Sequence, residues 1–196
     1  MMNCLLAGVG GQGTVLASKL IAQSAMNRGL NARTAETIGM AQRGGCVVSH
    51  VRVGEEIHSP LIPQHKADLI IGFEPAEAVR CLPYLKEGGA VIASTKAVKP
   101  VTATLAGSSY SGEEMTSHLK KQVKKLYLID ADAICGRLGS AKVLNVVLLG
   151  AAAGAGLLEL TLEELEKTIR EKLPERFVKL NCRALSEGAA AVRKGL

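Results

Sequence analysis

Flat rings are almost missing from this chain. Its 196 residues hold two Phe, three Tyr and no Trp, an aromatic share of 3%. A core must therefore be assembled from Val, Leu, Ile and Ala, and a platform on which single-stranded bases stack is excluded for want of rings. Clustered cysteine is missing too. Cys4, Cys46, Cys81, Cys135 and Cys182 stand more than thirty residues apart, with no C-x-x-C among them. No zinc or iron–sulfur site is encoded locally. An odd number of scattered thiols, with no secretory leader, predicts reduced cysteines and a cytoplasmic location. No apolar run reaches the ~18–20 residues of a membrane span. The longest, VLNVVLLGAAAGAGLL (143–158), carries Asn145 and three glycines and reads as a buried helix. Its small-residue part, AAAGAG, suits close approach by another chain or tight packing within the domain.

What is present is small and aliphatic. Apolar residues make up 47% of the chain, there are 21 glycines, and the formal net charge is +6. The densest cationic stretch, HLKKQVKK (118–125), reads as a solvated helix face, with an acidic partner or a phosphorylated substrate as alternatives.

Apolar patterning orders the elements. MNCLLAG is a strand, and past the glycines comes a helix that Thr14 can cap and that runs to about Arg28. NARTAET is a second strand and IGMAQRGG a loop. CVVSHVRV is a strand with Val47, Ser49, Val51 and Val53 on one side and Cys46, Val48, His50 and Arg52 on the other. Gly54-Glu55 then turns the chain into a short return strand, EIHS. DLIIGF, PAEAVRCLPYL and GGAVIAS read as strand, helix and strand, residues 96–111 as loop and partial strand, GEEMTSHLKKQ as helix and KLYLIDA as strand. Thr161 and Glu164 form a capping box for a helix ending before Pro174, and a last amphipathic helix spans about Glu175 to Arg193. The expectation is one domain over 1–196: a three-layer α/β/α Rossmann-like fold with a mainly parallel sheet, an inserted hairpin and a helical C-terminal part.

The first turn, GVGGQG, places Gly8, Gly10 and Gly13 in the dinucleotide pattern G-x-G-x-x-G, and Glu36 lies 23 residues past Gly13, near the place of a ribose-binding acid. Beyond Glu36 the chain departs from that fold, since a Gly-rich loop and a hairpin stand where a crossover helix belongs. A tight turn without ligand, a turn that meets a partner, and NAD(P) binding stay open. In MAQRGG, Gln42 and Arg43 sit between glycines; Arg offers a planar fork for phosphate or carboxylate, and an ordinary exposed turn is the alternative. Reacting groups are scarce. There is no G-x-S-x-G elbow, and His50, His58 and His65 share no ligand spacing. Asp130 and Asp132 fit helix capping, and Glu74 fits either a helix N-terminus or a functional carboxyl edge.

GVGGQG, GMAQRGG, VSHVR, SPLIP and GFEPAEAVR in this order, with NVVLLGA and FVKLNCRA later, resemble the gamma-type component of the 2-oxoacid:ferredoxin oxidoreductases over essentially the whole chain. Within that family the likeness is greatest to the small (beta) subunit of the indolepyruvate enzymes. The resemblance implies a subunit that is inactive alone. The complex would decarboxylate an aryl 2-oxoacid, join the acyl group to coenzyme A as co-substrate and pass two electrons to ferredoxin. It implies thiamine diphosphate, Mg²⁺ and [4Fe–4S] clusters on the large (alpha) subunit and none bound by this chain alone. Gly10, Gly11, Gln12, Gly13, Gln42, Arg43 and Gly44 are expected to face the partner's cleft, with Arg43 toward an anion of coenzyme A or substrate; catalytic residues stay unassigned. No nucleic acid, membrane or metal ligand is expected. A homodimer of the isolated chain, a stand-alone NAD(P)-binding oxidoreductase and a non-catalytic adaptor remain as alternatives.

Overall fold

In the computed structural model, which describes residues 1–38, 45–98, 110 and 112–193, the N-terminal apolar run becomes the strand on which the sheet is built. This strand, β1 (Met2–Val9), pairs in parallel with β4 (Ala67–Gly72) and antiparallel with β3 (Cys46–Gly54). With β2 (Asn31–Ile38), β5 (Leu85–Ser94) and β6 (Lys125–Ile129), the order is β2-β3-β1-β4-β5-β6. β4, β5 and β6 continue the parallel ladder, and β3 runs antiparallel to both its neighbours. The mainly parallel α/β expectation holds.

The hairpin differs in its partner. EIHS forms no strand, and 55–66 is turn and coil. β3 pairs instead with β2, residue for residue from Asn31↔Gly54 to Ile38↔Val47. The physical reason is donor supply: EIHS is four residues long and leads into Pro60 and Pro63, which cannot feed a ladder, whereas β2 offers eight residues. The segment folds over the sheet instead, burying Ile57 and Ile62.

Alternation splits the strands between two layers. Cys4, Leu6, Val51, Val53, Leu69, Ile71 and Ile92 face one core; Leu5, Ala7, Ile70, Val91 and Ala93 face the other. The second layer is thin: α2 (Pro75–Arg80) and α3 (Glu113–Gln122). The expected long helix after Phe73 stops at α2 and resumes as one 3₁₀ turn, Leu82–Tyr84, because Pro83 lacks an N–H and restricts Leu82. The first layer holds α1 (Thr14–Asn27), α4 (Ala131–Leu138), α5 (Leu144–Gly154), α6 (Leu162–Lys172) and α7 (Glu175–Arg193). The Thr161–Glu164 capping box is formed at α6, and Asp130 caps α4 through Ala133 N–H at 3.0 Å. At α1 the N-cap is Gly13, not Thr14: Gly13 takes φ +83°, and Thr14 is the first helical residue with its side chain buried.

α5 is buried on every side from Asn145 to Ala152. Small residues of this segment pack inside the domain: Ala151 and Ala152 are buried, and a Cβ on Gly154 would stand 2.7 Å from Ala189 Cα. A Cβ on Gly150 would land on the Leu185 carbonyl, and one on Gly188 of α7 on the Val147 carbonyl, so the two backbones lie in direct contact. Among the described residues no helix is long and apolar enough to cross a membrane. His50, 5% exposed, accepts the Ile62 N–H on Nδ1 at 3.1 Å and meets Tyr84 edge-on at 5.9 Å. That bond requires a neutral ring, and burial lowers its pKa from the usual 6.5.

The packing can be probed at both kinds of glycine. Gly188→Ala should cost on the order of 3 kcal/mol in denaturant unfolding, because neither backbone can retreat. Gly136→Ala, with nothing within 4 Å of its would-be Cβ, should instead gain ~0.5–1 kcal/mol of helix propensity. His50 adds a pH dependence. The unfolded chain protonates His50 near ~6.5 while the folded chain resists it, so this stabilisation is complete above that pH and is lost as pH falls through the folded value. Thermal midpoints measured from pH 7 to 5 should fall more steeply for the wild type than for His50→Gln.

Candidate functional site

β1 sends its chain through α1 onto one face of the sheet, and β4 sends its chain through α2 onto the other. The carboxyl ends of β1 and β4 therefore flank a switch point, the crevice where open α/β sheets hold ligands. Here the crevice is occupied by this chain's own amide. Gln12 folds back so that its Oε1 accepts the Val9 N–H at 2.8 Å while its Nε2 donates to the Phe73 carbonyl at 3.1 Å. Phe73 N–H in turn donates to the Ala7 carbonyl at 2.7 Å. A Cβ on Gly8 would stand 2.7 Å from Gln12 Oε1 and 2.8 Å from Phe73 Cβ, so only glycine fits under the clamp.

The remaining turn glycines divide between inward and outward. Gly10 N–H donates to the Gly45 carbonyl at 2.8 Å, tying the turn to the start of β3. Gly13 backs onto Asn145, which is 2% exposed and donates from Nδ2 to the Gly13 carbonyl at 3.3 Å. Gly11, at φ +97°, has nothing within 4 Å of its would-be Cβ and is the outward point of the turn. No side chain caps α1, so among the described residues its first-turn amides are uncommitted donors directed at the same rim, in the partial positive field of a helix start.

A second polar junction stands beside the first. Glu74, 2% exposed, caps α2 by accepting from Ala76 N–H at 2.7 Å and Glu77 N–H at 3.1 Å through Oε2. Its Oε1 accepts the Tyr110 hydroxyl at 2.6 Å and the Val98 N–H at 3.3 Å. Burial, then the bond to Glu74, raises the Tyr110 pKa well above its usual value of 10, so the phenol is a fixed donor. Farther along the edge Lys96 and Asp132 pair at 2.5 Å, both about half exposed, a contact worth little by itself.

Among the described residues, nothing along this rim is an activated nucleophile. Burial pushes the Cys46 thiol up to about 11, with Glu77 adding to it, and Cys81 to about 12. Cys4, Cys135 and Cys182 are raised from the same first cause. Catalytic thiols are shifted the other way. Among the described residues no group of three or more His, Cys, Asp or Glu side chains could hold a metal ion, a donor set that does not fit an iron–sulfur cluster.

Of the residues expected at the site, Gly10, Gly11, Gln12 and Gly13 lie together at the carboxyl edge, with Gln12 turned into the fold. Gln42, Arg43 and Gly44 lie outside the described residues. Glu36 is separated from β1 by the whole of β3 and faces Ser18 Oγ at 3.4 Å, so the adjacency of a dinucleotide site is lost. Asn145 and Tyr110 were not expected there. The signal for Asn145 was in plain view: a lone amide in an apolar run must find a partner.

The fold and the rim define an α/β component that presents backbone donors outward and carries no reacting group of its own among the described residues. Residues 3–191 match the family described as pyruvate ferredoxin/flavodoxin oxidoreductase, and the chain belongs to that family as a gamma-type member. It is 39% identical over 188 residues to indolepyruvate oxidoreductase subunit IorB of Archaeoglobus fulgidus, covering 95% of this chain and 93% of that one. It is 28% identical over 190 residues to the pyruvate/ketoisovalerate oxidoreductases common subunit gamma of Thermococcus litoralis, covering 95% of each. Its fold matches that of the keto/oxoacid ferredoxin oxidoreductase gamma subunit from Geobacter sulfurreducens, with a TM-score of 0.72, 22% identity and 99% of each chain covered.

Replacing Gln12 by Ala strands the Val9 N–H and the Phe73 carbonyl, and should cost ~1–3 kcal/mol in chemical unfolding. Gln12→Glu keeps the acceptor but loses the donor. Its deficit against wild type should be largest at neutral pH and should shrink on acidification, when a protonated carboxyl again donates.

Proposed function

We propose that this chain is the small subunit of an indolepyruvate:ferredoxin oxidoreductase and works only when joined to a large subunit. The complex would convert an aryl 2-oxoacid and coenzyme A into acyl-CoA and carbon dioxide, delivering two electrons to ferredoxin. Thiamine diphosphate, Mg²⁺ and the [4Fe–4S] clusters belong to the large subunit in this reading. The observation that carries it is the Gln12 clamp. The crevice is bridged by the chain's own amide, while the donors around it point outward, so the rim is suited to completing a cavity whose other wall is another polypeptide. The aryl preference rests on the higher identity to the indolepyruvate relative than to the pyruvate/ketoisovalerate one.

In this arrangement Gly10 to Gly13 form part of the shared wall. Gln42, Arg43 and Gly44 join it on the strength of the sequence, with the Arg43 guanidinium as the group for an anionic portion of coenzyme A or substrate. A cytoplasmic setting fits five free thiols. A rim built of backbone amides does not titrate, so its contribution to turnover is independent of pH.

Reconstitution tests the reading. The purified chain with thiamine diphosphate, Mg²⁺, coenzyme A and ferredoxin should turn over no 2-oxoacid. Adding the large subunit should give turnover with indolepyruvate that exceeds turnover with pyruvate, and iron and sulfide should be found in the large subunit alone. Arg43→Ala should lower that turnover while leaving assembly intact. Activity of the chain by itself, or iron in it, refutes the assignment.

A further inference from the structure

The sheet ends on one side at β2, and this edge is unusually open. β2 is eight residues long, carries neither Pro nor Gly, and keeps an unbroken register with β3. β3 covers its inner side and α1 one face, and the 55–58 coil lies against its first residues; among the described residues no strand pairs with its outer side. Edge strands in isolated proteins are normally shortened, bulged, interrupted by proline or covered, because a row of free N–H and C=O groups recruits another strand. The opposite edge, β6, is held to five residues.

Beside the open edge runs a groove of about 460 Å³ between β2 and α1. Ala32 and Thr34 form its strand wall, and Leu16 and Met26 stand on the helix wall at 37% and 47% exposure. Lys19 and Lys172 also line it, and neither has an ion-pair partner among the described residues. The groove is thus apolar along its floor and cationic at its margins. A second copy of this chain would bring like lysines together there.

We propose that β2 receives an extended, acidic strand of the large subunit as a seventh strand of the sheet. Main-chain bonds run along the β2 edge, apolar side chains on one face of the incoming strand cover Leu16 and Met26, and carboxylates meet Lys19 and Lys172. The proposal rests on the subunit assignment above and adds the surface that makes the contact. It also fits the rim: β2 runs parallel to β1, through β3, and ends at the same carboxyl edge as the glycine turn. A strand docked here runs along the same sheet toward that edge, with β2 and β3 between it and β1.

Hydrogen exchange read by mass spectrometry on the full chain, alone and bound to its large subunit, tests this. Amides of 31–38 should slow by at least ~10-fold on assembly, more than those of the β6 edge. Lys19→Glu with Lys172→Glu should leave the chain folded, with only a small drop in thermal midpoint from the reversed charge in the last turn of α6, while weakening large-subunit binding by ~10-fold or more and reducing its salt dependence. Unchanged exchange at 31–38 in the assembled enzyme, or unchanged affinity of the double variant, overturns the proposal. Protection of 31–38 that grows with concentration of the isolated chain does so as well, by making a second copy the occupant. A wild-type chain that binds no large subunit at all overturns the underlying assignment instead.

Discussion

A primary amide has one acceptor and donors to spare, and at the head of this sheet Gln12 uses both kinds. By accepting from Val9 and donating to Phe73, it joins the ends of the two strands that flank the switch point. The consequences spread outward from that bridge. Gly8 must lack a side chain because the amide lies where a Cβ would be. Gly11 must swing out, and Gly13 must take a left-handed conformation so that α1 can start at all. The crevice that holds ligands in other open α/β sheets is bridged here by a half-buried amide of the chain itself. The free donors of this edge lie on the rim around that bridge.

The bridge is held from below by the C-terminal helices, which otherwise look like appended bulk. Backbone contact between α5 and α7 at Gly150 and Gly188 leaves α5 no freedom to shift. α5 carries Asn145 directly behind Gly13. A rigid pair of helices thus fixes one amide, which fixes the carbonyl of the turn. Glu74 does the same on the far side, gathering Ala76, Glu77, Val98 and Tyr110 onto one buried carboxylate. Satisfied polar networks of this kind specify geometry more than they add stability. They leave the outward donors of the turn in fixed positions.

Sequence periodicity identified the strands and most helices because apolar alternation and caps are local. Thr161 and Glu164 meet within a single helical turn, and Asp130 needs only Ala133. The two faces of β3 were legible for the same reason. What was not legible depends on residues distant in the chain. Thr14 fits the preference for an N-cap, yet the turn needs Gly13's positive φ one position earlier, and Thr14 is drawn into the core. EIHS has strand character, but β2 competes for the same edge of β3 with twice the length and no proline behind it. Gln12 was singled out with its glycine neighbours as cleft-facing; its inward turn depends on Phe73, 61 residues away. Tyr110 could not be linked to Glu74 by any spacing rule.

The absence of shifted, reactive side chains along the described rim has its own logic. A raised thiol pKa keeps the cysteines protonated, and a buried neutral His50 is committed to holding Ile62. Groups in this state neither attack nor relay protons at neutral pH. Backbone amides, by contrast, stabilise negative charge without changing charge themselves, and their strength grows when water is excluded. Water can be excluded from an open rim only by a second surface. The same chain leaves its longer open strand edge, β2, ending at that side of the sheet, with the groove and its lysines along the strand's first half. Donors that need a lid and an edge that needs a strand are two requirements that a partner docked as proposed would satisfy together.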